Sequence, residues 1–208
     1  MNAITIFGDS ITFGSGDNVD RGWCGRLKKY FESKGGHHYL YNLGVCGDTT
    51  KDLLERFDVE AKARVKFRRE LDKNTIIFSI GINDSKLLAK SKIPEIEIDV
   101  FKENIKTLAG KAKFYTKKIT FIGLTPVDVK ITSDYEEATF TNERICEFNN
   151  SIKEFCQKND IPFLDMFKEF SKLDFKKILI DGLHPSPKGY EEMYKIIKDF
   201  LTNKKLID

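Results

Sequence analysis

The sequence predicts an α/β sandwich, and three observations predict it. Short apolar runs alternate with longer helical stretches along the whole chain. Several of those runs are β-branched or aromatic, as strands buried in a parallel sheet should be. The residues best suited to chemistry stand where the runs end. Strand and helix in alternation imply a parallel sheet covered on both faces, and ligands of such sheets sit beyond the carboxyl ends of the strands.

The strand candidates are residues 3–7, 39–43, 75–80, 119–124 and 162–164. Between them lie helical periods. Ile98, Phe101, Ile105, Leu108 and Ala112 recur at three or four, as do Ile145, Phe148, Ile152, Phe155 and Cys156. A last helix starts with Ser186 as N-cap and Pro187 at the first helical position, and carries Tyr190, Met193, Tyr194, Ile197 and Phe200. These stripes read as core-facing rather than cofactor-binding. With no internal repeat, low-complexity tract or Pro/Gly-rich linker, the 208 residues read as a single domain, 1–208.

Composition excludes several functions. Lys+Arg 35 against Asp+Glu 32 is too even to argue for nucleic acid or an anionic membrane. No apolar run approaches the ~20 residues of a membrane span, and the first residues read as a strand entering a core rather than a signal peptide. Cys24, Cys46, Cys146 and Cys156 show no CxxC spacing, so they read as reduced, buried thiols of a cytoplasmic protein. Nothing in the sequence sets an oligomeric state.

Four segments carry the chemistry. After the first strand comes Gly8-Asp9-Ser10-Ile11-Thr12, where a serine at the sheet rim offers its hydroxyl and its own N–H. A helix N-cap is the plainer reading of that serine. After the second strand, Gly47 can bring a bare N–H close to a ligand, within a turn where Asp48 or Thr49 caps the next helix. After the third, Asn83 in Gly81-Ile82-Asn83-Asp84 offers uncharged donors for an oxyanion, or else a turn residue tolerating left-handed backbone. Near the end, Asp181-Gly182-Leu183-His184-Pro185 pairs a carboxylate with an imidazole three residues on. A catalytic serine needs such an imidazole as base and a carboxylate to fix its tautomer. The other two histidines, His37 and His38, have no carboxylate near them in sequence and read as exposed loop positions.

Taken in this order, the four segments resemble the motif blocks of the GDSL/SGNH hydrolases over nearly the whole chain. The resemblance implies a three-layer α/β/α fold with a flavodoxin-like, five-stranded parallel sheet. It implies Ser10 as nucleophile, His184 as base and Asp181 as its orienter. It implies an oxyanion hole from the Ser10 and Gly47 N–H groups and the Asn83 amide, with Asp9 and Asp84 tying loops. The family's pattern is departed from at Cys46, where small residues are common.

The implied reaction is two-step acyl transfer to water through an acyl-serine, on a small-molecule ester, with no metal and no organic cofactor. Walker A, GxGxxG, HExxH and GxSxG patterns are absent from the sequence. Rival readings are a thiol hydrolase built on Cys46 and His184, a nucleotide-binding doubly wound protein, a lysophospholipase or thioesterase, and a non-catalytic module holding an acylated sugar. Residues 15–21, 85–94 and 126–142 are expected to wall the site. They are mostly polar, with Leu87, Leu88 and Ile93 as a short apolar pocket, which favours acetyl or other short acyl esters.

Overall fold

A computed structural model describes residues 2–35, 38–65, 70, 73–88, 91–133, 135 and 138–207. The run Ala-Ile-Thr-Ile-Phe-Gly forms β1 (Ala3–Gly8), buried at every position. A central parallel strand has no solvent face on which polar residues could alternate. Two helices come next, α1 (Ser10–Phe13) and α2 (Gly22–Glu32), and then β2 (Tyr39–Gly44). After these lie α3 (Thr50–Arg64), β3 (Asn74–Ser79), β4 (Leu87–Leu88), α4 (Ile98–Ala112) and β5 (Lys118–Ile122). The chain continues through α5 (Val129–Thr132), β6 (Ala138–Thr139), α6 (Asn142–Lys158), β7 (Phe163–Leu164) and α7 (Met166–Ser171). A 3-10 turn at Phe175–Ile178 and α8 (Pro187–Asn203) complete it. Ser186 caps α8 by accepting the Gly189 N–H at 3.2 Å, with Pro187 opening the first turn as expected.

Five strands make one parallel sheet in the order β2-β1-β3-β5-β7. Counted along that sheet alone the order is 2-1-3-4-5, the flavodoxin-like arrangement, whose switch point lies between β1 and β3. Packing of α2 on α8, and of α3, α4 and α6 in series, supplies the flanking layers. Phe7, Phe78 and Phe121 are register partners on β1, β3 and β5. Their rings stack at 5.8 and 4.9 Å, and Phe57 of α3 closes on Phe7 at 4.8 Å. No helix among the described residues is long and apolar enough to cross a membrane.

The sequence does not predict a second, antiparallel pair, which β4 forms with β6. Two residues per strand are too few for any period to be read. The pair ties the segment after β3 to the segment after β5, over the edge where the site lies.

Two expectations fail locally. Cys24 and Cys156 are buried, but Cys46 is exposed on the loop after β2 and Cys146 lies off the buried stripe of α6. His38 is half-buried, its ring edge-on to the buried Phe31 of α2 at 4.8 Å. His37 lies outside the described residues.

Candidate active site

The end of β1 admits only glycine at position 8. A Cβ there would lie 2.1 Å from Thr12 Oγ1 and 2.4 Å from the Ser79 carbonyl oxygen. Asp9, not Ser10, caps α1, accepting the Ile11 N–H at 3.0 Å. Ser10 is therefore the first helical residue, and its hydroxyl is not taken up in capping. The second segment is braced by Arg56 of α3. Its guanidinium donates to Asp48 Oδ2 at 2.7 Å and to the carbonyls of Gly8 and Leu43 at 3.1 and 3.0 Å. Thr49 caps α3, with Asp52 completing a capping box. Gly47 has φ 86°, and a Cβ there would meet no atom within 4 Å. Backbone conformation rather than crowding calls for glycine at this position.

Asn83 is buried and donates one amide hydrogen to the Asp48 carbonyl at 2.9 Å. That bond orients the amide, which has a second donor to offer. The next residue, Asp84, accepts the Thr50 N–H at 3.0 Å and also holds the Thr50 hydroxyl. Asp84 thus ties the segment after β3 to the start of α3, whereas Asp9, expected to tie loops, caps its own helix instead.

The last segment is a tight turn closed by Ile180 N–H to the His184 carbonyl at 2.9 Å and Ser186 N–H to the Ile178 carbonyl at 2.8 Å. Gly182 supplies a positive φ of 83° inside it. Asp181 Oδ1 accepts the N–H groups of Leu183 and His184, at 3.0 and 2.7 Å, which folds its side chain back over the turn. Asp181 Oδ2 then stands 2.7 Å from His184 Nδ1, and His184 Nε2 stands 2.8 Å from Ser10 Oγ. With the proton on Nδ1, Nε2 is the acceptor facing the hydroxyl. Residues 174 apart in sequence thereby form one relay.

The carboxylates respond to these surroundings. Burial works against the charged form of Asp181, but the hydrogen bonds from the His184 ring and from the N–H groups of His184 and Leu183 outweigh it, so the carboxyl stays below its ordinary range. Burial pushes Asp9 up to about 7, against the pull of the Ile11 N–H and with the Asp84 charge adding. Asp84 is pushed up to about 6 by burial, opposed by its bonds to Thr50.

Ser10, Gly47, Asn83, Asp181 and His184 all line one cleft of about 370 Å³. Ser15, Gly16, Cys46, Lys86, Tyr135, Ala138, Phe140, Ile180 and Leu183 share its walls. A hydroxyl relayed to a carboxylate through an imidazole, beside an oriented amide, can attack a carbonyl and hold the oxyanion that results.

A model of the GDSL-like Lipase/Acylhydrolase family matches residues 6–192. The chain belongs to this family. Its members are ester-bond hydrolases, and so is this protein. Among solved structures, this GDSL acylhydrolase is similar to the lipase/acylhydrolase from Enterococcus faecalis, at 25% identity over 98% of this chain and 97% of that one, with a TM-score of 0.78. It is also similar to a member of the lipolytic G-D-S-L family from Veillonella parvula, at 19% identity over 97% and 99%, TM-score 0.75. A catalytic mutant of an acetylxylan esterase from Geobacillus stearothermophilus shares the fold, at 17% identity over 96% and 94%, TM-score 0.72. No curated protein sequence matches the chain.

Within this acylhydrolase the expected walls are met in part. Ser15 and Gly16, Lys86, and Tyr135, Ala138 and Phe140 come from the three expected segments. Among the described residues, the expected apolar pocket of Leu87, Leu88 and Ile93 does not line this cleft. Leu87 and Leu88 lie on β4, in register with Thr139 and Ala138, and Leu88 and Ile93 stand exposed. The apolar lining comes instead from Ala138, Phe140, Ile180 and Leu183. Cys46 does line the cleft, but its thiol lies 3.4 Å from Ser15 Oγ, and the imidazole Nε2 addresses Ser10. Sequence reasoning misses Tyr135, whose hydroxyl donates to Asp181 Oδ2 at 2.9 Å. It sits in a polar stretch of sequence with no motif or period to single it out.

Proposed function

We propose that this acylhydrolase cleaves a carboxylic ester through an acyl-serine, with Ser10 as nucleophile, His184 as general base and then general acid, and Asp181 as the orienter of His184. The unbroken hydrogen-bonded line from Ser10 Oγ through His184 to Asp181 carries this reading. His184 takes the Ser10 proton as Oγ attacks the ester carbonyl. The Ser10 and Gly47 N–H groups and the Asn83 amide receive the oxyanion. The alcohol leaves with the proton from His184, and water repeats the cycle on the acyl-enzyme.

The substrate is a short-acyl or acetyl ester of a small molecule or carbohydrate. Two features support this. The cleft, at about 370 Å³, is near the lower end of ligand-pocket sizes. Its lining mixes Ser15, Lys86 and Tyr135 with a short apolar wall of Ala138, Phe140 and Leu183. Each further methylene gains only ~0.8 kcal/mol, and only where apolar surface receives it.

The test is kcat/KM across p-nitrophenyl esters of increasing acyl length, below their micelle concentrations, for the wild type and Ser10→Ala. The expected result is a maximum at two to about four carbons, and near-complete loss with Ser10→Ala. A steady rise to twelve carbons would overturn the substrate reading. Full activity in a contaminant-free Ser10→Ala sample would overturn the nucleophile.

A further inference from the structure

We propose that Tyr135 is a positioning residue for the Asp181–His184 pair, holding the carboxylate in place from the cleft side and setting how strongly it supports a positive charge on the imidazole. This rests on the reading of Ser10, His184 and Asp181 as the catalytic line. Tyr135 would act through Asp181, not by touching the reacting atoms.

The geometry is specific. Asp181 Oδ1 is occupied by two backbone N–H groups of its own turn. The other oxygen, Oδ2, is the one His184 Nδ1 meets at 2.7 Å, and it is the one to which the Tyr135 hydroxyl donates at 2.9 Å. The phenol oxygen is also 3.5 Å from Nδ1. Tyr135 and His184 therefore converge on one oxygen, and the hydroxyl holds that oxygen against rotation about the Asp181 side chain. Without it, the carboxylate is fixed by its own turn alone.

Tyr135 is itself delivered by structure. Its N–H and carbonyl exchange hydrogen bonds with Ala138, at 2.8 and 2.7 Å. Ala138 pairs with Leu88 in the small antiparallel sheet. The ring stands edge-on to Phe140 at 6.1 Å. The β4–β6 pair thus carries a side chain from the wall of the cleft to the far end of the triad.

Electrostatics gives the direction of the effect. A donor on Oδ2 spreads part of the carboxylate's charge toward the phenol. An imidazolium formed during the reaction then sees a weaker counter-charge than it would beside a carboxylate without that donor. Removing the hydroxyl strengthens the Asp181–imidazolium attraction. The acid limb of the kcat/KM profile, below which the base is protonated, then moves to higher pH. Other titratable or charged groups around the pair are Asp9 beside Ser10, Cys46 and Lys86 in the cleft wall, Tyr190, whose own titration feels the Asp181 charge, and Asp128 with its partner Lys176 beneath the turn. Tyr135→Phe leaves all of them in place.

The experiment compares wild type, Tyr135→Phe, Asp181→Asn, the double variant and Ser10→Ala on a p-nitrophenyl acetate assay across pH. Tyr135→Phe removes one oxygen and keeps the ring on Phe140, and its melting temperature checks the fold. We expect kcat to fall roughly tenfold, KM to stay within about twofold, and the acid limb to rise by roughly half a unit. In the Asp181→Asn background the same substitution should change little, because residues acting through one group do not add. Incorporation of 3-fluorotyrosine at position 135, a stronger donor of nearly the same shape, should move the limb the other way. An unmoved limb and unchanged kcat overturn the proposal, and so does a pure rise in KM, which would make Tyr135 a substrate-binding residue. Loss of activity in Ser10→Ala alongside an unmoved limb overturns the role of Tyr135 alone. Retained activity in Ser10→Ala overturns the catalytic line and this proposal with it.

Discussion

The two halves of the cleft are built differently. Ser10, Gly47 and Asn83 stand at the ends of β1, β2 and β3, beside the switch point of the sheet, and are braced from beneath by Asp9, Arg56 and Asp84. Asp181 and His184 stand on a turn held by its own hydrogen bonds, by the Asp128 N–H to the Gly182 carbonyl at 2.8 Å, and by Tyr135. The first half is continuous with the core, so substitutions that crowd its backbone are expected to cost stability. The second half is a loop turn that buries Leu183 but holds its polar side chains by a few local hydrogen bonds, so removing those side chains is expected to cost activity before stability.

The largest expected effect falls on the loop half. Asp181→Asn keeps the turn's shape but leaves the imidazole in the wrong tautomer, and should lower kcat by up to ~10⁴ with little change in melting temperature. A loss below tenfold would show that the turn orients His184 without its carboxylate. On the sheet half, the proposed oxyanion role of the Asn83 amide predicts that Asn83→Ala lowers kcat by roughly 10²–10³ with KM little changed. If only KM rises, Asn83 binds the ground state instead.

Two glycines sharpen the contrast. Gly8→Ala drives a methyl into Thr12 and the Ser79 carbonyl, and should cost about 3 kcal/mol of stability or more, read by denaturant unfolding. Gly182→Ala sits at a positive φ beside Ile131, and should cost activity more than stability. Equal stability losses for the two would end the distinction between the halves.

The smallest effect is in the pH dependence of stability. The Asp9 carboxyl, held up at about 7 by burial, binds its proton in the folded state over a range where the unfolded chain has released it. Its contribution is therefore fully present below about pH 4 and is lost as pH rises through about 7. Asn at position 9 can still accept the Ile11 N–H and carries no charge. The melting temperature of Asp9→Asn relative to wild type should accordingly improve between pH 5 and pH 8. A gap that stays constant would mean that burial does not raise the Asp9 carboxyl.

The sheet half is the more legible in sequence, and the reason is physical. A buried strand must be an apolar run and must end in a turn, so Gly8-Asp9-Ser10 and Gly81-Ile82-Asn83-Asp84 announce their places. The capping role of Asp9 is hidden, because Asp9 and Ser10 are both good caps and only backbone geometry separates them. For Asp181 and His184 the sequence offers proximity, while the hydrogen bonds that aim them depend on a turn closed through space. Tyr135 and the β4–β6 pair are illegible for a stronger reason. They are held by contacts between segments about fifty residues apart, and a two-residue strand has no period. For the same reason Leu87 and Leu88 read from sequence as cleft residues.

The proposed activation of Ser10 through His184 underlies the expected losses of turnover, and covalent trapping reports it without a substrate. Wild type, Ser10→Ala and His184→Ala would be treated with a serine-directed organophosphonate, digested, and mapped by mass spectrometry. We predict one adduct on the wild type, on the peptide carrying Ser10, formed far more slowly in His184→Ala and not at all in Ser10→Ala. An adduct on another residue, or labelling at the same rate in His184→Ala, would refute that activation.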